Sequence, residues 1–331
     1  MITGRRSGGR PGSAVGGGAR GGGRVGRLGG CSDPAPGRPG TLRGLVSPGP
    51  NGDPAAGAAD SEWSRRALAR GEFRVQFQPV VTRSSAVVVG FEALLRWEHP
   101  DRGLLCPADF LAPAHPAGLT REVGGAVLAA AVGVLAELRR VPGARPEVNP
   151  SALTVAVNVS SDQFHGPGLA DCVLAALTAH HLSGSAVTVE VTETTVIPDL
   201  AVAATELGRL RTAGVGVCLV AYGSGTSGLQ RLLQLPFSSP KLDYRLTAGL
   251  GVDPRVGAVA ASTAALAAEL GLTLAAGGVE TAEQYRLLLA AGYTHVQGWR
   301  FGHPVAPEDL PALLTIPRAP QPGWHPSQGP S

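Results

Sequence analysis

Five polar residues stand where a run of apolar sequence would otherwise continue. Glu92 lies within Gly90-Phe91-Glu92-Ala93-Leu94-Leu95, Asn158 ends Val155-Ala156-Val157-Asn158, and Glu190 ends Val187-Thr188-Val189-Glu190. Lys241 sits in Pro240-Lys241-Leu242-Asp243, and Gln297 ends His295-Val296-Gln297. A lone polar residue in such a place is usually a cap or a surface side chain. Five in register, each inside a short apolar run, point to a shared interior site. Carboxylate and amide oxygens converging from several strands are what a hard divalent cation requires. Lys241 is also the only lysine in the chain.

The elements that would position these residues alternate along the chain. Short β-branched runs are predicted as strands at 74–79, 86–94, 153–159, 186–192, 216–220, 240–243, 272–276 and 295–298. Several of them are continuously apolar, as parallel strands buried on both faces are. Amphipathic helices are predicted at 119–140, 168–181, 200–213, 227–235, 255–270 and 282–291, and several stop at glycine (Gly184, Gly214, Gly271, Gly292). Size and order match an α/β protein of the (β/α)8 barrel type, in which active groups sit at the C-terminal strand ends. The pattern by itself does not separate a barrel from an open doubly wound sheet.

Composition limits the alternatives. Residues 1–60 carry eight Arg against three Asp in a Gly/Pro/Ala/Ser background, and are expected to be a disordered tail. The formal charge of +3 thus belongs to that tail, and 61–331 sum to −2. A nucleic-acid surface on the domain is not indicated. The domain is expected over 61–316, with a second frayed tail at 317–331. No secretory h-region and no apolar stretch long enough for a membrane span occur, so a cytoplasmic protein is expected. Cys31, Cys106, Cys172 and Cys218 are scattered, with neither a C-x-x-C pair nor a disulfide framework.

Seven segments, in order, resemble the motifs of the EAL family of cyclic-di-GMP phosphodiesterases. They are Gln78-Pro79-Val80-Val81, Glu92 to Pro100, Val157-Asn158-Val159-Ser160 with Gln163, Glu190-Val191-Thr192-Glu193, Lys241-Leu242-Asp243, Gly278-Val279-Glu280-Thr281, and Gln297 to Phe301 with Pro304. The resemblance spans 70–310. It implies that Glu92, Asn158 and Glu190 ligate a first Mg or Mn ion, and that Lys241 orients the attacking water. It also implies that Gln297 lines the site, that Glu193 braces the loop after the fifth strand of the series, and that Gln78, Leu94 and Arg96 contact the dinucleotide.

The departures cluster. The family's adjacent aspartates correspond to Val220 and Ala221, its glutamate before Gly-Val-Glu corresponds to Gly277, and His115 replaces an acidic residue. A second metal position then has no protein carboxylate, and bound metal is expected to be weak or absent. The expectation is a degenerate member, catalytically inactive, acting as a cyclic-di-GMP receptor or regulatory scaffold, with homodimerisation implied by the family. The alternative is a residually active phosphodiesterase yielding pGpG. A remote alternative is a nicotinamide dinucleotide enzyme, because Gly223-Ser224-Gly225-Thr226-Ser227-Gly228 fits G-x-G-x-x-G after a strand, with Asp243 some 20 residues beyond.

Overall fold

A computed structural model describes residues 66–83, 86–110, 119–142 and 144–315. The two expected tails and His115 lie outside the described residues. Strands β1 (Phe73–Thr82), β2 (Val88–His99), β4 (Thr154–Val159), β5 (Val187–Thr192), β6 (Gly216–Tyr222), β7 (Ser239–Leu242), β8 (Ala275–Ala276) and β9 (His295–Gln297) close into a ring. A short flap, β3 (Gly103–Leu105), pairs with the far end of β2. The helices are α1 (Leu119–Leu138), α2 (Leu169–Ala179), α3 (Leu200–Thr212), α4 (Gly228–Gln234), α5 (Tyr244–Gly249), α6 (Pro254–Glu269), α7 (Ala282–Ala291) and α8 (Leu310–Thr315).

The barrel departs from an all-parallel one at β1, which runs antiparallel to both its neighbours, β2 and β9. Its sequence FRVQFQPVVT alternates buried and half-buried positions, with Phe73, Val75 and Phe77 fully inside. No helix-length segment separates β1 from β2, so a hairpin is the available connection. From β2 through β4, β5, β6, β7, β8 and β9 every pairing is parallel.

Side chains alternate across a strand. Along β4 and β5 the buried valines 155, 157, 159, 187, 189 and 191 take one face. Thr154, Ala156, Asn158, Thr188 and Glu190 take the other, which is the barrel interior. Asn158 stands in register with Glu190, so the pleat delivers both polar groups to the same side. The helices start where the sequence supplies caps. Asp199 accepts N–H bonds from Ala201 (2.8 Å) and Val202 (3.1 Å), and Thr281 and Gln284 form a reciprocal capping box on α7. That helix ends on Gly292 at φ 101°, a left-handed stop.

Among the described residues no helix is long and apolar enough to cross a membrane. Cys218 is a free, buried thiol.

Candidate functional site

Lys241 on β7 reaches across the barrel interior. Its Nζ donates to Glu92 Oε2 on β2 at 2.8 Å and to Glu190 Oε1 on β5 at 3.1 Å. Asn158 Nδ2 on β4 donates to the other oxygen of Glu92 at 2.8 Å. The four residues predicted from separate apolar runs therefore form one cluster. Glu92, Glu190 and Lys241 are largely withdrawn from water, their side chains retaining 12%, 5% and 10% of their exposure, whereas Asn158 stays exposed.

The electrostatics follow from this crowding. Burial opposes the charge on Lys241, but Glu190 and Glu92 outweigh it and hold the ammonium well above its ordinary range. Burial also opposes ionisation of Glu92. The Lys241 charge and hydrogen bonds from Lys241 and Asn158 nevertheless draw it below the usual carboxylate range. Glu190 is pushed up to about 7 by burial and by the charge of Glu92, against the pull of Lys241. Cys218, in register with Glu190, is raised to about 12 by burial and by that carboxylate. It is an inert wall, not a nucleophile.

Gln297 joins from β9. Its Nε2 donates to Gln78 Oε1 on β1 at 2.8 Å, and Gln78 Nε2 in turn donates to the carbonyl of Gly302 at 3.0 Å. Gln297 Oε1 is buried without a partner, which leaves an acceptor free at the wall. Arg96 and Leu94 are not in the cluster. Arg96 lies four residues beyond Glu92 along β2, roughly 13 Å at strand rise. Its guanidinium is occupied by Gln76 Oε1 (3.0 Å) and the Leu95 carbonyl (2.8 Å). Gln76 was not singled out from sequence. The signal for it was the alternation of β1, which places it on the strand paired with β2.

The end of β6 presents hydrocarbon. Val220 is buried and pairs with Thr192, and Ala221 follows at φ 55°, a left-handed conformation that L-residues with a Cβ avoid. The β6–β7 register shifts at this point. Gly277, just past β8, has open space: a Cβ built there would meet Lys241 Cε at 3.7 Å, ordinary contact distance. Among the described residues no three His, Cys, Asp or Glu side chains gather around one point.

Glu193, just past β5, closes the glycine-rich loop. Its Oε2 accepts from Gly223 N–H at 2.8 Å and its Oε1 from Gly228 N–H at 2.7 Å. A Cβ at Gly228 would come within 2.9 Å of that carboxylate, which explains the glycine there without a phosphate. The amides that a dinucleotide pyrophosphate would need are already satisfied by an internal anion. The strand before them is also an interior member of a closed ring, not the first strand of a Rossmann unit. The nicotinamide reading is therefore set aside.

The EAL domain family matches residues 61–304. The chain belongs to that family. Among curated relatives, the bifunctional diguanylate cyclase/cyclic di-GMP phosphodiesterase MucR of Pseudomonas aeruginosa is 36% identical over 251 residues, covering 76% of this chain and 36% of that protein. Cyclic di-GMP phosphodiesterase RocR of the same organism is 35% identical over 240 residues, covering 72% of this chain and 59% of that protein. The chain thus spans only about a third to three-fifths of the length of these relatives. Among solved structures, the PaMucR phosphodiesterase in complex with c-di-GMP superimposes with a TM-score of 0.68 at 34% identity, covering 76% of this EAL domain's chain and 99% of that one.

Proposed function

We propose that this EAL domain serves cyclic di-GMP signalling without hydrolysing the nucleotide, as a receptor or regulatory scaffold, with the work done by residues 61–316. The observation that carries this reading is the asymmetry of the barrel mouth. Glu92, Asn158 and Glu190 converge, while Val220, Ala221 and Gly277 offer no oxygen opposite them. A pair of divalent ions supplies an activated water and a clamp on phosphodiester oxygens. The residues present do not fit such a pair, because a second position would have no carboxylate and the first would compete with Lys241 for both of its carboxylates. Mg²⁺, which demands near-octahedral oxygen coordination, is disfavoured most. Nucleotide binding is supported by the c-di-GMP complex of the PaMucR relative.

Calorimetric titration of the full chain with cyclic di-GMP, with and without Mg²⁺ or Mn²⁺, tests it. Saturable binding that persists in EDTA is the result for a receptor, and no binding under either condition is the result for a scaffold. One observation favours a second reading, a slow phosphodiesterase using a single ion: the three first-site donors and Lys241 do converge. Linear pGpG formed in proportion to protein and abolished by Glu92→Ala would establish that reading and overturn the first.

A further inference from the structure

We propose that Lys241 is the resident cation of this site, its ammonium standing between Glu92 and Glu190 so that the barrel is complete without a divalent ion. The inference concerns the chain's own residues and holds or fails independently of nucleotide binding.

Three features carry it. The first is geometry. Lys241 Nζ lies within reach of three carboxylate oxygens, Glu92 Oε2 at 2.8 Å, Glu190 Oε1 at 3.1 Å and Glu190 Oε2 at 3.5 Å. An ammonium is a compact charge with three donors, whereas a guanidinium is a wide planar fork. Lys241, the only lysine among the 28 basic residues, places that compact charge here.

The second is the surroundings. The groups facing the cluster from the neighbouring strands are the amides of Asn158 on β4 and Gln297 on β9 and, on β6, the neutral thiol of Cys218 and the hydrocarbon of Val220. Beyond β8, the space beside the lysine stem is left open by Gly277. Among these neighbours nothing else supplies positive charge to the two glutamates.

The third is energetic. Removing one partner of a buried ion pair strands the other charge in a poorly solvated place, whereas neutralising all partners together relieves it. A site completed by a divalent ion and a site completed by a lysine thus respond in opposite ways to chelation and to loss of the lysine.

Thermal unfolding of the full chain in EDTA and in millimolar MnCl₂ is the experiment. The wild-type Tm should be the same in both. Lys241→Met should lower it by on the order of 10 °C in EDTA, and Mn²⁺ should recover part of that loss in the variant alone. Lys241→Met combined with Glu92→Gln and Glu190→Gln should fold in EDTA and ignore Mn²⁺, which keeps the test open if the single variant does not fold. A wild-type Tm that rises by several degrees in Mn²⁺ would overturn the proposal. So would a single variant as stable as wild type in EDTA, or a triple variant no more stable than the single one.

Discussion

The two sides of the barrel mouth share a backbone plan and differ in chemistry. On the β2–β4–β5 side, Glu92, Asn158 and Glu190 are linked to one another or to Lys241 by hydrogen bonds of 2.8–3.1 Å. On the β6–β8 side, Val220, Ala221 and Gly277 occupy the corresponding strand ends. Yet the backbone there is still held in a specific form. Glu193 grips both ends of the 223–228 loop, and Ala221 keeps a left-handed φ of 55° that short polar side chains tolerate better than alanine does. The difference teaches that a strand end can be held in a specific conformation by a neighbouring element while its own side chains offer no polar group.

The strongest way to break that comparison is to remove the support. Glu193→Ala leaves the buried Gly228 N–H without an acceptor, at about 1–3 kcal/mol, and also removes the part-buried bond to Gly223 N–H. A loss of about 3 kcal/mol in urea-unfolding free energy is expected, together with faster amide exchange at Gly223 and Gly228. If the stability and both exchange rates stay at wild-type values, the loop is not held by Glu193 and its backbone form needs another cause.

Next in size is repopulating the depleted side. Val220→Asp, Ala221→Asp and Gly277→Glu together should restore divalent-ion binding, since Gly277 has room for a side chain beside Lys241. With Mn²⁺ at about 100 times its Kd, linkage raises stability by about 2.7 kcal/mol. The readout is the Mn²⁺-dependent shift in unfolding of the triple variant against wild type. A triple variant that folds but shows no shift means that the Tyr222–Thr226 loop has drifted from the geometry its relatives use.

Much of this contrast was legible before any coordinates. Asn158, Glu190 and Lys241 could be read because each interrupts or closes a buried run whose period is two, and a pleat sends such residues to one face. Helix α7 matches the range expected from its amphipathic run and the Gly292 stop, and the structure adds the capping box of Thr281 and Gln284 at its start. What could not be read depended on partners distant in sequence. The antiparallel β1 carries the same apolar content as a parallel strand, and only its alternation and the short link to β2 betray the hairpin. The flap β3 is three residues long and exists through its register with Trp97, Glu98 and His99. The bond from Arg96 to Gln76 on the neighbouring strand likewise joins residues 20 apart in sequence. The role of Glu193 came from family resemblance, and no local signal around it announces the two amides 30 and 35 residues away.

A smaller effect sharpens the polar side. Glu190 has its pKa raised from 4.5 to about 7 in the folded state. Over that window the native protein binds a proton that the unfolded chain has released, so this group's contribution to stability falls as pH rises from about 4.5 and is fully lost above about 7. Glu190→Gln removes the titration. The variant's unfolding free energy should gain on wild type steadily between about pH 5 and about pH 8. Parallel pH curves for the two proteins would show that Glu190 is already ionised at low pH, with Lys241 dominating its surroundings.

The smallest effect isolates the backbone on the depleted side. A left-handed conformation costs an L-residue about 1–2 kcal/mol, and glycine escapes this at some expense in unfolded-chain entropy. Ala221→Gly should therefore stabilise the protein by about 0.5–1 kcal/mol. Ala221→Asn should do so by less, through its greater tolerance of that region. The matched control on the polar side is Ala156→Gly in β4, where the backbone is ordinary strand and glycine should destabilise by about 0.5–1 kcal/mol. Opposite signs at two alanines of the same barrel, measured by urea unfolding, would mean that the β6 end carries strain inherited with its conformation. Equal signs would mean that Ala221 sits in an unstrained turn, and that the strand end was rebuilt along with its side chains.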